Sequence, residues 1–266
     1  MLTLIFDGLN LIRRVHAGMQ RVDASGGQGD ASLMDVDDLE RNVVRSADRA
    51  LRHFSPTHAM LAMDGRGGGW RKAVFDDYKA NRAPMPDSLN AALPRLEAAL
   101  ASAGVRALRV GDFEADDIIA SVAHALSQHG RNVVILSTDK SMLSLLRPGV
   151  RVWHHFENRE LTAADVHKRF GVEPLQLADF LALAGDSSQN VPGVRGIGSK
   201  TAAQLLAAHG TVEGVLEAAE QLTRRQRENL MAQREEVLLY KQISTLRDDV
   251  RADVNLSDFR LASRAG

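Results

Sequence analysis

Short apolar runs alternate with longer amphipathic stretches through the first two thirds of the chain. "LTLIF" (2–6), "THAMLAM" (57–63), "VRALRV" (105–110), "NVVILST" (132–138) and "VRVWHHF" (150–156) are brief and rich in branched residues, which predicts five buried β-strands. Helical spacing fills the intervals. Residues 35–53 predict one helix. "SLNAALPRLEAALASAG" predicts another despite its internal proline, with Gly104 as the stop. In "DDIIASVAHALSQHG" (116–130), Ile118, Ile119, Val122, Ala123, Ala125 and Leu126 form one broad stripe, ended by Gly130. "GGQGD" (26–30) and "GRGGGW" (65–70) interrupt the pattern as loops. Strands separated by helices predict an α/β fold with a mostly parallel sheet covered on both faces.

After about residue 160 the strand signal fades. "TAADVHKRFG", "PLQLADFLALAG", "SKTAAQLLAAHG", "TVEGVLEAAEQL" and "TRRQRENLMAQREEVLLYKQISTL" all read as helices. The expected organisation is an α/β domain over 1–160, a helical domain over 161–255, and a frayed tail over 256–266.

Composition changes this picture only by exclusion. The chain has 266 residues, 44% hydrophobic, 25% charged, with a formal net charge of −1. It has no cysteine, so disulfides and thiolate metal sites are excluded, and any metal must use oxygen or histidine ligands. No apolar run approaches the roughly 20 residues of a membrane span. "MLTLIFDGLN" lacks the basic start of a signal peptide, so a soluble cytoplasmic protein is expected. Near-zero net charge argues against a uniformly basic coat, yet basic residues cluster at 71–82, 224–234 and 13–21.

The acids fall in a telling order. Asp7 follows the first predicted strand, Asp64 the second, Glu114, Asp116 and Asp117 the third, and Asp139 the fourth. In a parallel sheet these exits share one edge, where such folds bind ligands. Converging carboxylates repel unless they hold protons or a cation, and an all-oxygen set suits Mg²⁺ or Mn²⁺. Helix capping alone would explain Glu114 to Asp117, but none of the other strand-end acids. A second informative stretch is "LAGDSSQNVPGVRGIGSKTAAQLL" (183–206). Gly193, Gly196 and Gly198 precede a helix start that carries Lys200, an arrangement suited to a phosphate.

With "DGLNLIRR" (7–14), Trp70-Arg71, "DYKANRAPMPDSL" (77–89), "EADD" (114–117) and "STDK" (137–140), these residues resemble the 5′-nuclease family. That family contains the flap endonucleases and the 5′→3′ exonuclease domains of DNA polymerase I. The nearest likeness is to the exonuclease IX-type branch. The resemblance implies a PIN-like nuclease core, a helix–hairpin–helix-type DNA-binding domain, and an arch over about 66–90. It implies metal-dependent hydrolysis of DNA at 5′ flaps or branches by a monomer. Asp7, Asp64, Glu114, Asp116 and Asp117 would hold one Mg²⁺, partly through water, with Asp116 the foremost direct ligand. Asp139 and Asp186 would remain from a second site. A K⁺ ion would sit on the main-chain oxygens of Leu183, Ala184, Pro192, Val194 and Ile197. Lys79 and Arg82 would hold the scissile phosphate. Tyr78 would stack on a base, and Arg14 would add to DNA binding. Complete family members read "DKD" and "GDSSDN" where this chain has Ser141 and Gln189. That erosion predicts a weak second metal. It also motivates an alternative: a DNA-structure-binding protein with little or no hydrolysis. A PIN-type ribonuclease shares the acidic architecture, but the glycine hairpin argues for duplex DNA.

Overall fold

The computed structural model describes residues 1–25, 35–67 and 69–262. The loop expected at 26–30 lies outside them. The elements are β1 (Leu2–Asp7), α1 (Gly8–Ser25), α2 (Val36–Phe54), β2 (His58–Ala62), α3 (Trp70–Val74), α4 (Asp87–Ser102), β3 (Arg106–Leu108), α5 (Ala115–Gln128), β4 (Asn132–Leu136), β5 (Val150–His154) and β6 (Arg159–Leu161). Then come α6 (Ala163–Phe170), α7 (Leu177–Ala184), α8 (Ser199–His209), α9 (Val212–Glu217), α10 (Arg224–Ala232) and α11 (Arg234–Ser244).

The six strands form one sheet in the order β3-β2-β1-β4-β5-β6. All neighbours pair parallel except β5 and β6. Period-two alternation splits β1 between two cores. Leu4 and Phe6 pack with Leu39, Val43 and Leu89 on one face, and Ile5 packs with Met60, Ile118 and Ile119 on the other. The second core runs on without a break into Leu181, Leu205, Val215 and Ile243 of the helical part. One hydrophobic mass therefore seats the C-terminal helices on the sheet.

Three features depart from expectation: the stretch 223–246, read as one helix, is parted at Gln233 into α10 and α11, and two more follow. β6 was not foreseen: it is three residues long and antiparallel, paired to β5 through Val152–Leu161 and Trp153–Glu160. The tail is docked rather than frayed as far as Leu261. Phe259 is buried, Arg260 bridges His58, and the Leu261 amide donates to the Thr57 carbonyl.

A buried charge joins the two halves. Arg71, only 1% exposed, grips Asp117 with two nitrogens at 2.7 Å each and Glu114 with one at 2.8 Å. Its remaining donors reach the carbonyls of Ile243 and Thr245 at the end of α11. Asp117 also accepts the Arg247 amide. Every polar atom of the pair is thus satisfied, the condition under which a buried ion pair is tolerated. Arg71→Met is expected to destabilise the protein by about 3–5 kcal/mol by leaving Asp117 buried without its partner. Urea denaturation of wild type, Arg71→Met and Arg71→Met/Asp117→Leu checks this, with the double replacement losing less than the single one.

Candidate active site

Parallel strands deliver the acids to one edge. Asp7 ends β1, Asp64 follows β2, Glu114 to Asp117 open α5 after β3, and Asp139 follows β4. β1 lies between β2 and β4, so the cleft opens where the strand order reverses direction. Local bonds hold each acid. Ser137 Oγ donates to Asp7 Oδ2 at 2.7 Å, and the Asn10 amide lies 3.3 Å from its other oxygen. The Ala115 amide donates to Asp64 Oδ1 at 2.8 Å, so Asp64 caps α5 from another segment. Asp139 accepts both the amide and the hydroxyl of Ser141 at 2.9 Å.

Asp7, Asp116 and Asp139 form the electrostatic centre. Burial pushes the Asp7 carboxyl up from 3.8 to about 7, and Asp139 and Asp64 add to the rise against the Ser137 and Asn10 bonds. Asp116 is raised well above the usual carboxylate range, first by desolvation, then by Asp139 and Asp7. Among the described residues none donates a hydrogen bond to Asp116. Nor do any three acidic or histidine side chains there form a finished metal cage. Free oxygens in a carboxylate-rich cleft nevertheless suit a hard cation with part of its shell supplied by water.

The other acids are already neutralised. Glu114 Oε1 receives Lys79 Nζ at 2.5 Å, and its Oε2 receives Arg71 and the Tyr78 hydroxyl at 2.8 and 2.9 Å. Burial would raise the Glu114 carboxyl, but Lys79 and Arg71 outweigh it and hold it low. Asp117 corrects the expectation of a metal ligand. It is fully buried, and its oxygens are spent on Arg71, the Trp70 indole N–H at 2.9 Å and the Arg247 amide. Tyr78 is a second correction. It is 5% exposed within the core, so its ring is covered and cannot stack on a base. Burial and Glu114 both push its hydroxyl pKa upward, which keeps it a donor.

Lys79 and Arg82 lie in the turn after α3. Lys79 spans the cleft to Glu114, and the exposed Arg82 donates to the Ser188 carbonyl at 2.9 Å. Arg14 is exposed on α1. Asp186 sits apart from the main cluster, between α7 and α8, bonded to Lys140 at 2.6 Å. Arg71, Lys140 and His155 have no role that the sequence pattern implies. His155 follows β5 at the same sheet edge, and neither ring nitrogen has a hydrogen-bond partner among the described residues. Burial, His154 and Arg14 lower it to about 4, so it is neutral near pH 7.

The glycine hairpin is a close backbone crossing. Gly193 has φ +75°, and a Cβ there would fall 2.4 Å from the Gly185 amide nitrogen and 2.7 Å from the Ala184 carbonyl carbon. A Cβ on Gly185, φ +87°, would fall 2.7 Å from the Pro192 oxygen. The Val194 amide donates to Leu183, and the Ile197 amide to Val194. The crossing thus gathers the carbonyls of 183–184 against those of 192–194. Gly196, Gly198 and Lys200 are exposed beside the N-terminus of α8, with Asn229 of α10 holding the Arg195 carbonyl at 2.8 Å.

Comparisons place this architecture. Residues 2–171 match the 5′-3′ exonuclease N-terminal resolvase-like domain, and residues 172–265 match the 5′-3′ exonuclease C-terminal SAM fold. The chain is 36% identical over 258 residues to flap endonuclease Xni of Shewanella sediminis, covering 97% of this chain and 96% of that one. It is 39% identical over 261 residues to flap endonuclease Xni of Salmonella typhimurium, covering 97% and 98%. Its fold is similar to zinc-bound T5 5′-exonuclease, with TM-score 0.74, 20% identity and coverage of 92% and 90%. The catalytic core of Rad2 in complex with DNA substrate is a more distant likeness, with TM-score 0.55, 12% identity and coverage of 95% and 82%. With both family models matched across nearly its whole length, the chain belongs to the 5′-3′ exonuclease family.

Proposed function

We propose that this protein is a structure-specific, Mg²⁺-dependent 5′ flap endonuclease that also cuts 5′→3′ exonucleolytically, working as a cytoplasmic monomer on branched or flapped DNA. The observation that carries the reading is the set Asp7, Asp116 and Asp139: carboxylates that no lysine or arginine among the described residues bonds, beside an arch that carries Lys79 and Arg82. No helix among the described residues is long and apolar enough to cross a membrane.

Asp116 and Asp7 would hold the ion, with Asp64, Glu114 and Asp139 acting partly through water. A divalent ion bound there supplies Lewis-acid stabilisation of the phosphodiester and an acidified water. The chain's own groups do the rest. Lys79 and Arg82 bind and orient the scissile phosphate, and their positive charge stabilises the transition state. Glu114, itself held by Arg71, keeps Lys79 at the cleft until the phosphate competes for it. Arg14 extends the basic rim for the DNA backbone. Main-chain oxygens of Leu183, Ala184, Pro192, Val194 and Ile197 would cradle K⁺. The amides around Gly193, Gly196 and Gly198, with Lys200, meet duplex phosphates without reading sequence.

Three outcomes test this. Cleavage of a 5′-flap duplex in Mg²⁺ or Mn²⁺ is expected from wild type, and Asp116→Ala should lose ~1,000-fold or more, the scale of about 4 kcal/mol of charge stabilisation, while still binding the duplex. Binding without any cleavage by wild type at high enzyme would favour the DNA-structure-binding alternative, and better cleavage of single-stranded RNA would favour a ribonuclease. Second, Asp7 titrates near 7 in the folded chain against 3.8 ordinarily, so folding favours its protonated form. The Asp7 contribution to stability without divalent ions, read as wild type against Asp7→Asn, should therefore fall as pH rises from about 4 through about 7 and level off above; buried His155, lowered to about 4, works the other way and is common to both proteins. Mg²⁺ binds the ionised form, so thermal melts should show a larger Mg²⁺ shift at about pH 8 than at about pH 5; equal shifts would count against the site. Third, Gly193→Ala should abolish duplex binding and its K⁺ dependence in fluorescence anisotropy, because the crossing has no room for a Cβ.

A further inference from the structure

Helix α10 lies against the glycine hairpin and holds it by one residue. The Arg195 amide donates to Gln233 Oε1 at 2.8 Å, and the Arg195 carbonyl accepts Asn229 Nδ2 at 2.8 Å. Both main-chain groups of a residue between Gly193 and Gly196 are therefore bonded to side chains of another element. An exposed turn can leave such groups to water, so this double bond fixes the direction of Arg195.

Asn229 and Gln233 are four residues apart, and Arg225 is four residues earlier, so the three share one face. A Cβ built on Gly196, which has φ +79°, would stand 3.1 Å from Asn229 Nδ2 and 4.0 Å from Arg225 Nε. Arg225 thus lies beside the Gly196 backbone. The break between α10 and α11 falls at Gln233, with φ −114° and ψ 27°, so the helix closes where it meets the hairpin. The charges of α10 divide by face. Arg224 is bonded to Glu228 and Arg227 to Glu220, and both are paired within the helical part. Arg195 and Arg225 are exposed, and neither guanidinium has an acidic partner among the described residues.

We propose that α10 is a duplex-binding element in its own right: Arg225 and Arg195 meet backbone phosphates beside Gly196, and Asn229 and Gln233 are positioning residues that hold the hairpin in the shape this contact needs. The inference rests on the reading of the protein as a nuclease of duplex-bearing DNA, and it extends the duplex contact from the hairpin to a second helix. A guanidinium presents its N–H donors in a fixed fork, which suits the free oxygens of a phosphate. Asn229 and Gln233 tie down Arg195 before DNA arrives, so less conformational entropy is lost on binding. Contacts of this kind carry no base specificity.

Fluorescence anisotropy of a DNA duplex, at fixed K⁺ and several NaCl concentrations without divalent ions, tests the phosphate contact. Arg225→Gln is expected to weaken binding about tenfold and to lower the slope of log affinity against log salt by about 0.9, the signature of one lost phosphate contact. Arg225→Lys should keep the slope. Arg224→Gln removes the same charge one position away and should match wild type, which separates a phosphate contact from a change in net charge. The positioning role is read in flap cleavage. Asn229→Leu/Gln233→Met should raise KM about tenfold while kcat holds. Equal slopes for Arg225→Gln and wild type, or equal losses in Arg224→Gln and Arg225→Gln, would overturn the phosphate contact. A fall in kcat at unchanged KM in the double variant would overturn the positioning role. Arg225 is exposed, so its variants decide the proposal even where the double variant does not fold. The nuclease reading fails separately: a wild type that binds with the Arg225-dependent slope and never cleaves loses that function and keeps this site, whereas cleavage with an Arg225-independent slope does the reverse.

Discussion

The structure turns on repulsion between carboxylates that the sheet forces together. Parallel strands have their C-terminal ends on one edge, so acids at successive strand exits converge whatever their separation in sequence. The protein answers this repulsion selectively. Arg71 and Lys79 neutralise Glu114 and Asp117, and Lys140 neutralises Asp186. Asp7, Asp116 and Asp139 receive hydroxyl or amide donors at most, and the carboxyl pKa values of Asp7 and Asp116 rise accordingly. A chain of this length with many exposed cations could have placed one beside each acid. Leaving three with no bonded cation among the described residues, and only the field of Lys79 reaching Asp116, concentrates a demand for positive charge at a single point of the cleft.

The same charges assemble the fold. Arg71 lies in α3 at the base of the arch, its carboxylate partners open α5, and its carbonyl partners end α11. The guanidinium fork suits this because it satisfies several acceptors in fixed directions, which a lysine could not do. Arch, catalytic helix and helical domain therefore share one buried anchor. A hydrophobic replacement fills the same space but does not aim Glu114 at Lys79. Charge pairing here fixes direction more than it adds stability.

The sheet was legible in the sequence because its central strands are short branched runs bounded by turns, and the acids were legible because each follows such a run. What escaped was direction. Asp116 and Asp117 are adjacent, yet on a helix they point roughly 100° apart, so one faces the cleft and the other the core. Nothing local distinguishes them; the choice is made by Arg71, 46 positions away from Asp117. Tyr78 was misread for the same reason, since an aromatic beside basic residues looks like a stacking platform until its burial is known. β6 escaped because "REL" lacks any period-two signal and pairs only as an edge. The docked tail escaped because one aromatic, Phe259, carries it. Lys140 was hidden within a motif whose aspartate drew the attention.

These pieces set a distance. The hairpin that suits duplex phosphates begins at Gly185 and Gly193, and the loop between those glycines carries Asp186. Asp186 is bonded to Lys140, the residue next to Asp139 at the edge of the acidic cleft. The path from duplex anchor to carboxylate cluster is therefore short and made of backbone pairing and one charge-assisted bond, with no free linker in it. The arch is fastened to that same loop. Three surfaces that must meet one DNA molecule are thus registered to each other through five residues. A nuclease built on phosphate contacts reads no bases, so its choice of cleavage position has to come from geometry. A rigid separation between anchor and cleft supplies that geometry, and side chains of the chain itself maintain it without help from the substrate.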